Sequence, residues 1–163
     1  MKYILFCVLL MPFAVQAQEC SLKKGKDVIT SKPTLSTGFI QLQGNTLSID
    51  VNSKEIDFFF VLNNAAVKCL NEETEITFLL EGGKQKSEFR NSGSMNCDGI
   101  FHIIFKNSAY TPSPLTKLGS KKIVAIQLTG STPKPYIITL TPEQQQMLMN
   151  TISCVIKEAK TVL

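Results

Sequence analysis

The chain has 163 residues, 44% of them hydrophobic, and 17 lysines and arginines against 13 aspartates and glutamates give a formal charge of +4. Arg90 is the single arginine. Phosphates and base edges are recognised by the rigid guanidinium fork, so a lysine surplus of this size points to a solvated surface and away from nucleic acid.

The chain opens on Met1-Lys2, a short positive end, and runs from Ile4 to Val15 with apolar residues broken only by Pro12. Val15-Gln16-Ala17 then offers small or modest side chains where signal peptidase reads. This order predicts a cleaved secretory signal over residues 1–17. The apolar run is about 12 residues, against the roughly 20 that span a bilayer, so no transmembrane anchor is expected after cleavage. Cys20 follows Gln18-Glu19, which does not fit a lipoprotein signal. Residues 18–163 are therefore expected as one domain, secreted or periplasmic, whose charge falls to +3 once Lys2 is gone. A domain of this length buries about 68–70% of its unfolded surface, enough for one core. Four cysteines remain, Cys20, Cys69, Cys97 and Cys154, and an even number in an exported chain implies two structural disulfides. None are spaced Cys-x-x-Cys, which disfavours a thioredoxin-type site or a zinc ribbon.

Residues 18–34 are polar, contain Gly25 and Pro33, and read as an extended lead-in; Lys23, Lys24 and Lys26 make its one basic patch. Phe39, Ile40 and Leu42 approach Gly44-Asn45, and Leu47, Ile49 and Val51 alternate with Ser48, Asp50 and Asn52. Period two on both sides of a turn pair predicts a hairpin. Ser53-Lys54 leads into Ile56–Leu62, where Phe58-Phe59-Phe60-Val61 suits a central strand covered on both faces, with an aromatic binding ledge as the alternative.

Ile76, Phe78 and Leu80 enter Glu81-Gly82-Gly83-Lys84, and Gln85–Phe89 returns. With Gly82-Gly83 as the loop, opposed residue numbers sum to 165, which sets Cys69 opposite Asn96, one residue from Cys97. Opposed positions lie about 4.5–5.5 Å apart, close to disulfide reach, so Cys69–Cys97 leads the three possible pairings. Asn96-Cys97-Asp98-Gly99 has turn chemistry and opens a strand Ile100–Phe105. Residues 107–120 form a loop with one helical turn at Leu115–Leu118. Strands follow at Lys122–Thr129 and Tyr136–Leu140, separated by Gly130-Ser131-Thr132-Pro133.

Thr141-Pro142-Glu143-Gln144 combines an N-cap threonine, a proline at the first helical position and a glutamine at the third. Leu148, Ile152, Val155, Ile156, Ala159 and Leu163 then recur at spacings of three and four, one apolar stripe of a terminal helix. Cys154 faces away from that stripe at about 100° per residue, and Cys20 on the lead-in is its candidate partner. The fold class expected is α+β, a mainly antiparallel sheet of about six to eight meandering strands with the C-terminal helix on one face. A small barrel or sandwich with the helix as a plug is the competing architecture.

From Cys69 to Cys154 the order of features resembles small exported bacterial proteins and domains of unknown function. These carry an Asn-Cys-Asp-Gly segment between strands, here Asn96-Cys97-Asp98-Gly99-Ile100-Phe101. Glu81-Gly82-Gly83 departs from that pattern, which has aspartate-glycine at the turn. The resemblance implies a bacterial envelope or secreted location and carries over no activity or site residue.

His102 is the lone histidine and would bear any histidine-dependent mechanism. Its separation from Cys97 is odd, which puts the two on opposite sheet faces about 16 Å apart, against the roughly 3 Å of a catalytic pair. Glu72, Glu73, Glu75 and Asp98 lack the spacing of a calcium loop and read as a solvated approach to a strand. Glycine-rich phosphate loops and a Gly-x-Ser-x-Gly elbow do not occur in the sequence. No catalytic residue, cofactor or metal is assigned, and the enzyme question stays open with a non-enzyme favoured. The leading expectation is an exported binding module for a protein or glycan of unknown identity. The alternatives are a small secreted hydrolase or carbohydrate-active enzyme using acidic residues, and a secreted inhibitor or effector of a protein partner. Loop 107–120 and the sheet face opposite the helix are the surfaces expected to bind.

Overall fold

The computed structural model describes residues 20–63, 69–130 and 134–163; the expected signal over residues 1–17 and residues 131–133 of the expected turn lie outside them. Among the described residues ten strands form two antiparallel sheets, followed by a C-terminal helix packed against them. The six-stranded sheet runs β1 (Lys23–Lys26), β2 (Pro33–Ser36), β4 (Asn45–Val51), β5 (Glu55–Val61), β8 (Ile100–Lys106), with β3 (Ile40–Leu42) also on β4. The four-stranded sheet is ordered β10 (Tyr136–Thr139), β9 (Ile123–Thr129), β6 (Glu75–Leu80), β7 (Lys86–Arg90). Two more strands than the expected maximum arise because the lead-in is itself a hairpin, β1 pairing β2 from Lys23↔Ser36 to Lys26↔Pro33.

Alternation builds the core. Leu47, Ile49 and Val51 on β4 and Ile56, Phe58 and Phe60 on β5 are all buried. The two sheets meet at a phenylalanine seam. Phe60 of β5 lies 6.2 Å from Phe78 of β6, and Phe105 of β8 lies 5.3 Å edge-on to Phe89 of β7. An edge-to-face pair such as Phe89–Phe105 adds about 0.5–1.5 kcal/mol beyond the area it buries.

The first turn sits one residue earlier than expected. Gln43 and Gly44 both have positive φ, 52° and 79°, and Leu42 pairs with Asn45. Asn45 is thereby the first residue of β4 and fully buried. Its Nδ2 donates to the Leu42 and Gln43 carbonyls and to Tyr136 Oη at 3.1 Å, so it closes the hairpin and reaches the other sheet at once. The β6–β7 register keeps the expected sum, Glu75↔Arg90 through Leu79↔Lys86. Beyond the Asn91-Ser92-Gly93 irregularity it slips by one, Leu70 bridging Asn96. That slip brings Cys69 across from Cys97, and the two form a disulfide with Cα atoms 3.9 Å apart.

Expected helix and strap are both present. Helix α2 (Pro142–Glu158) starts in a capping box, Gln144 N–H donating to Thr141 Oγ1 and Thr141 N–H to Gln144 Oε1. Leu148, Ile152 and Val155 are buried. The stripe then ends on Val162 and leaves Leu163 55% exposed, since Ala159–Val162 tightens into a 3₁₀ turn. Residues three apart eclipse there, so Val162 follows Ala159 inward. Cys154, on the outer side of α2, bonds to Cys20. The expected turn at Leu115–Leu118 is a two-turn helix, α1 (Ser113–Ser120), with both leucines buried. It crosses α2 at Gly119, where a Cβ would come within 2.7 Å of Ile156 Cδ1.

Gly130 closes β9 at φ +92°, and a Cβ there would meet the Glu73 carbonyl oxygen at 3.1 Å and Thr74 Cα at 3.2 Å. Both obstacles are backbone. Gly130→Ala is expected to cost about 1–3 kcal/mol, measured as a lower urea midpoint with an unchanged m-value, whereas Gly82→Ala, with open space around it, should cost less.

Candidate functional site

The side chains that point away from the core form the most organised polar surface among the described residues. Since Ile56, Phe58 and Phe60 point in, period two sends Asp57 and Phe59 out, and likewise Ser48 and Asp50 on β4 and His102 and Ile104 on β8. Strand register sets them in rows. Ser48 opposes Phe59, which opposes His102; Asp50 opposes Asp57, which opposes Ile104. The second row continues across β2 and β1, Ser36 facing Asp50 and Lys23 facing Ser36. One hollow on this face is lined by Phe39, Phe59, Asp50, Asp57, Ser36 and Lys23. Phe39, on the turn between β2 and β3, is 73% exposed.

Expected cover on both faces of Phe58–Val61 is not found. Phe58 and Phe60 are buried, while Phe59 and Val61 keep an open side. The physical reason is that the second sheet and the helices occupy one side of β5, leaving the aromatic ledge of the alternative reading on the other.

Hydrogen bonds fix the polar groups. His102 Nδ1 lies 2.9 Å from Asp57 Oδ2, and its ring meets Phe59 edge-on at 5.0 Å. The strand under His102 is pinned by its own amide, which donates to Asn91 Oδ1, and by its carbonyl, which accepts from Ser92. Gly93 is the floor beneath the ring, where a Cβ would come within 3.0 Å of His102 Cδ2. Ser48 Oγ donates to Asp50 Oδ2 at 2.8 Å. Asp57 Oδ1 is buried and makes no hydrogen bond.

Burial holds the Asp57 carboxyl above the ordinary aspartate range; the bond and charge of His102 pull it back, and Asp50 and Glu55 push it up again. The face therefore brings together two opposed carboxylates, Asp50 and Asp57, with Ser36, Lys23 and the rings of Phe39 and Phe59. That set accepts hydrogen bonds from hydroxyl or amine groups and stacks apolar ring faces. Among the described residues no three His, Cys, Asp or Glu side chains are grouped to hold a metal ion.

Of the residues singled out from sequence, His102, Phe59 and Lys23 lie on this face, and the others lie elsewhere. Cys97 is tied to Cys69 in a disulfide and so offers His102 no free thiol. Glu72 and Glu73 line a shallow hollow with Asn71 and Met95, and Glu75 pairs with Arg90 at 3.0 Å. Asp98 follows the disulfide in an exposed turn. In the 107–120 loop Tyr110 is 88% exposed, and Lys117 Nζ donates to the Lys86 carbonyl. From sequence Phe39 and Asp50 read only as hairpin positions and Asp57 carries no signal of its own, although Asp50 and Asp57 alternate with core residues around one turn whose opposed positions sum to 107.

No helix of the described residues is long and apolar enough to cross a membrane. No protein-family model matches the chain, and no curated protein or solved structure shows significant similarity to it.

A raised carboxyl means that the folded protein binds the Asp57 proton more tightly than the unfolded chain. Stability is then lost as pH rises from 3.8, the ordinary aspartate value, through the raised folded value. Asp57→Asn removes that titration. Urea unfolding across this window should show the wild type losing stability relative to the variant as pH rises; parallel curves would contradict the burial of Asp57.

Proposed function

We propose that the protein is an exported, non-enzymatic binding module that takes a glycan on the outer face of its six-stranded sheet. The observation that carries this reading is the hollow in which Phe39 and Phe59 stand with the opposed Asp50–Asp57 pair, Ser36 and Lys23. Sugar rings present apolar faces that stack on aromatic side chains and hydroxyl donors that fill free carboxylate acceptors. The face is open, and each carboxylate already has one oxygen committed to a neighbouring side chain. Both features suit reversible capture more than chemistry that needs water excluded. Export is supported by the apolar Ile4–Val15 run ahead of Ala17 and by the two disulfides, which persist in oxidising compartments. The Asn96-Cys97-Asp98-Gly99 resemblance favours a bacterial envelope or secreted setting.

One observation favours a second reading. Asp50 and Asp57 are opposed on neighbouring strands, and side chains so placed fall near the roughly 5–5.5 Å carboxyl separation of retaining glycosidases. Asp57, raised by burial, would be the acid and Asp50 the nucleophile.

One titration separates the two. The oxidised protein is mixed with soluble peptidoglycan fragments and a panel of polysaccharides, and binding is followed by NMR at the Phe39, Phe59 and His102 signals. Binding without turnover is expected, weakened about tenfold or more by Phe39→Ala or Asp57→Ala. Products that form with wild type and vanish with both Asp50→Asn and Asp57→Asn would move the protein to the hydrolase reading. Unperturbed signals across every glycan would overturn both.

A further inference from the structure

The β1–β2 hairpin ends in a tip unlike the rest of the surface. Val28 and Ile29 are 97% and 93% exposed, two branched aliphatic side chains held almost wholly in water. The tip is nevertheless built. Asp27 Oδ1 accepts from the amides of Ile29 and Thr30 and from Thr30 Oγ1, at 3.0, 2.6 and 2.8 Å. Asp27 N–H donates to the Lys32 carbonyl, and Ser31 N–H to the Asp27 carbonyl, both at 2.8 Å. Ser31 takes the left-handed φ of 57° that turns the chain back. The bonds from Thr30 hold the Asp27 carboxyl below its ordinary range, so the turn keeps its charged acceptor at all physiological pH values. A turn fixed in this way presents its two apolar side chains without ordering them anew on contact.

Charge surrounds the same tip. Lys23, Lys24 and Lys26 lie on β1, all exposed, and Lys32 stands at the return. Asp27 is the sole acidic residue between Ser21 and Ser36, leaving a net three positive charges there, although the whole chain carries only +4. Only Leu35 and Ser36 of β2 pair with β4, so the distal hairpin pairs with itself alone; Asp27 and Thr34 border a hollow with Asp50, Glu55 and Asp57, and Val28 and Ile29 stand beyond it. Lys23 also lines the proposed glycan hollow; that face requires none of the other features.

We infer that the β1–β2 hairpin tip docks the protein on an anionic lipid surface, Val28 and Ile29 entering the interface and the lysines facing the headgroups. The occupant follows from the chemistry. Apolar tips rimmed by lysine are matched by a surface that is apolar below and anionic above. Lysine is also sufficient for it, because a diffuse layer of negative charge does not demand the bidentate geometry that arginine provides. Each lysine near such a leaflet raises affinity about fivefold, and the effect decays over the Debye length of about 10 Å at 0.1 M salt.

The test compares variants in one processed form, expressed from the full chain in an exporting host with both disulfides verified. Flotation is measured with vesicles of pure phosphatidylcholine and with an equimolar mixture of phosphatidylcholine and phosphatidylglycerol. Binding is expected to the anionic vesicles, to fall at least tenfold with Val28→Ser plus Ile29→Ser, and to fall on the order of 20-fold with Lys24→Gln plus Lys26→Gln. All four positions are solvent-exposed, and unchanged melting temperatures establish that the fold is intact. Two outcomes overturn the inference: equal flotation of wild type and the Val28/Ile29 variant, or wild-type binding that does not distinguish anionic from neutral vesicles. Capture of heparin in place of vesicles, equally sensitive to both variants, would assign the tip to a soluble polyanion and would also overturn it.

Discussion

The seam at which Phe58, Phe60 and Phe105 of one sheet meet Phe78 and Phe89 of the other fixes the rest of the molecule. Large rings at alternate positions of β5 can be buried on one side only, so the odd-numbered residues of that strand are committed to the outside. Asp57 and Phe59 face outward for this reason. A one-residue slip of β5 would turn Glu55 and Asp57 inward and expose Ile56, Phe58 and Phe60, which is why the register, and with it the polar face, is strongly determined.

Buried polar side chains act as joints where apolar contact alone cannot specify geometry. Asn45 binds its own hairpin and the tyrosine of β10. Asn107 joins the β4–β5 turn to the end of the last helix, its Nδ2 donating to the Asn52 and Ala159 carbonyls. Asn91 Oδ1 accepts from both Gly93 and His102, coupling the irregular stretch after β7 to the strand that carries the histidine. Each amide ties separate backbone segments together through bonds of fixed geometry, although Asn107 Oδ1 is buried without a partner; joints of this kind select one packing among several of similar hydrophobic content.

Local signals were legible from the residues, and signals that depend on partnership were not. The capping box at Thr141, the Gly82-Gly83 register and the outward face of Cys154 each follow from chemistry within a few residues, and they place the terminal helix and both disulfides. The lead-in reads only as extended chain because its strands are short and polar; pairing with each other, and of Leu35 and Ser36 with β4, is what orders them. Gly44-Asn45 suggested a turn by composition, yet Gln43-Gly44 forms it, because Asn45 finds buried partners that no local pattern announces. The candidate site is the clearest case. Glu72, Glu73 and Glu75 drew notice as neighbours in sequence, whereas Asp50 and Asp57 are neighbours only across a strand pair, and His102 acquires its partner diagonally.

The Cys20–Cys154 bond spans 134 positions and joins the segment before the first strand to the last helix. Tension applied to the chain outside those two residues therefore runs through sulfur and bypasses the strand ladders. The edge hairpin cannot be peeled from the sheet by traction on its leading end, and a polypeptide attached there would act as a leash anchored on the terminal helix. Such a body can be hauled, tethered or sheared at its margins while the geometry of its outer face stays fixed.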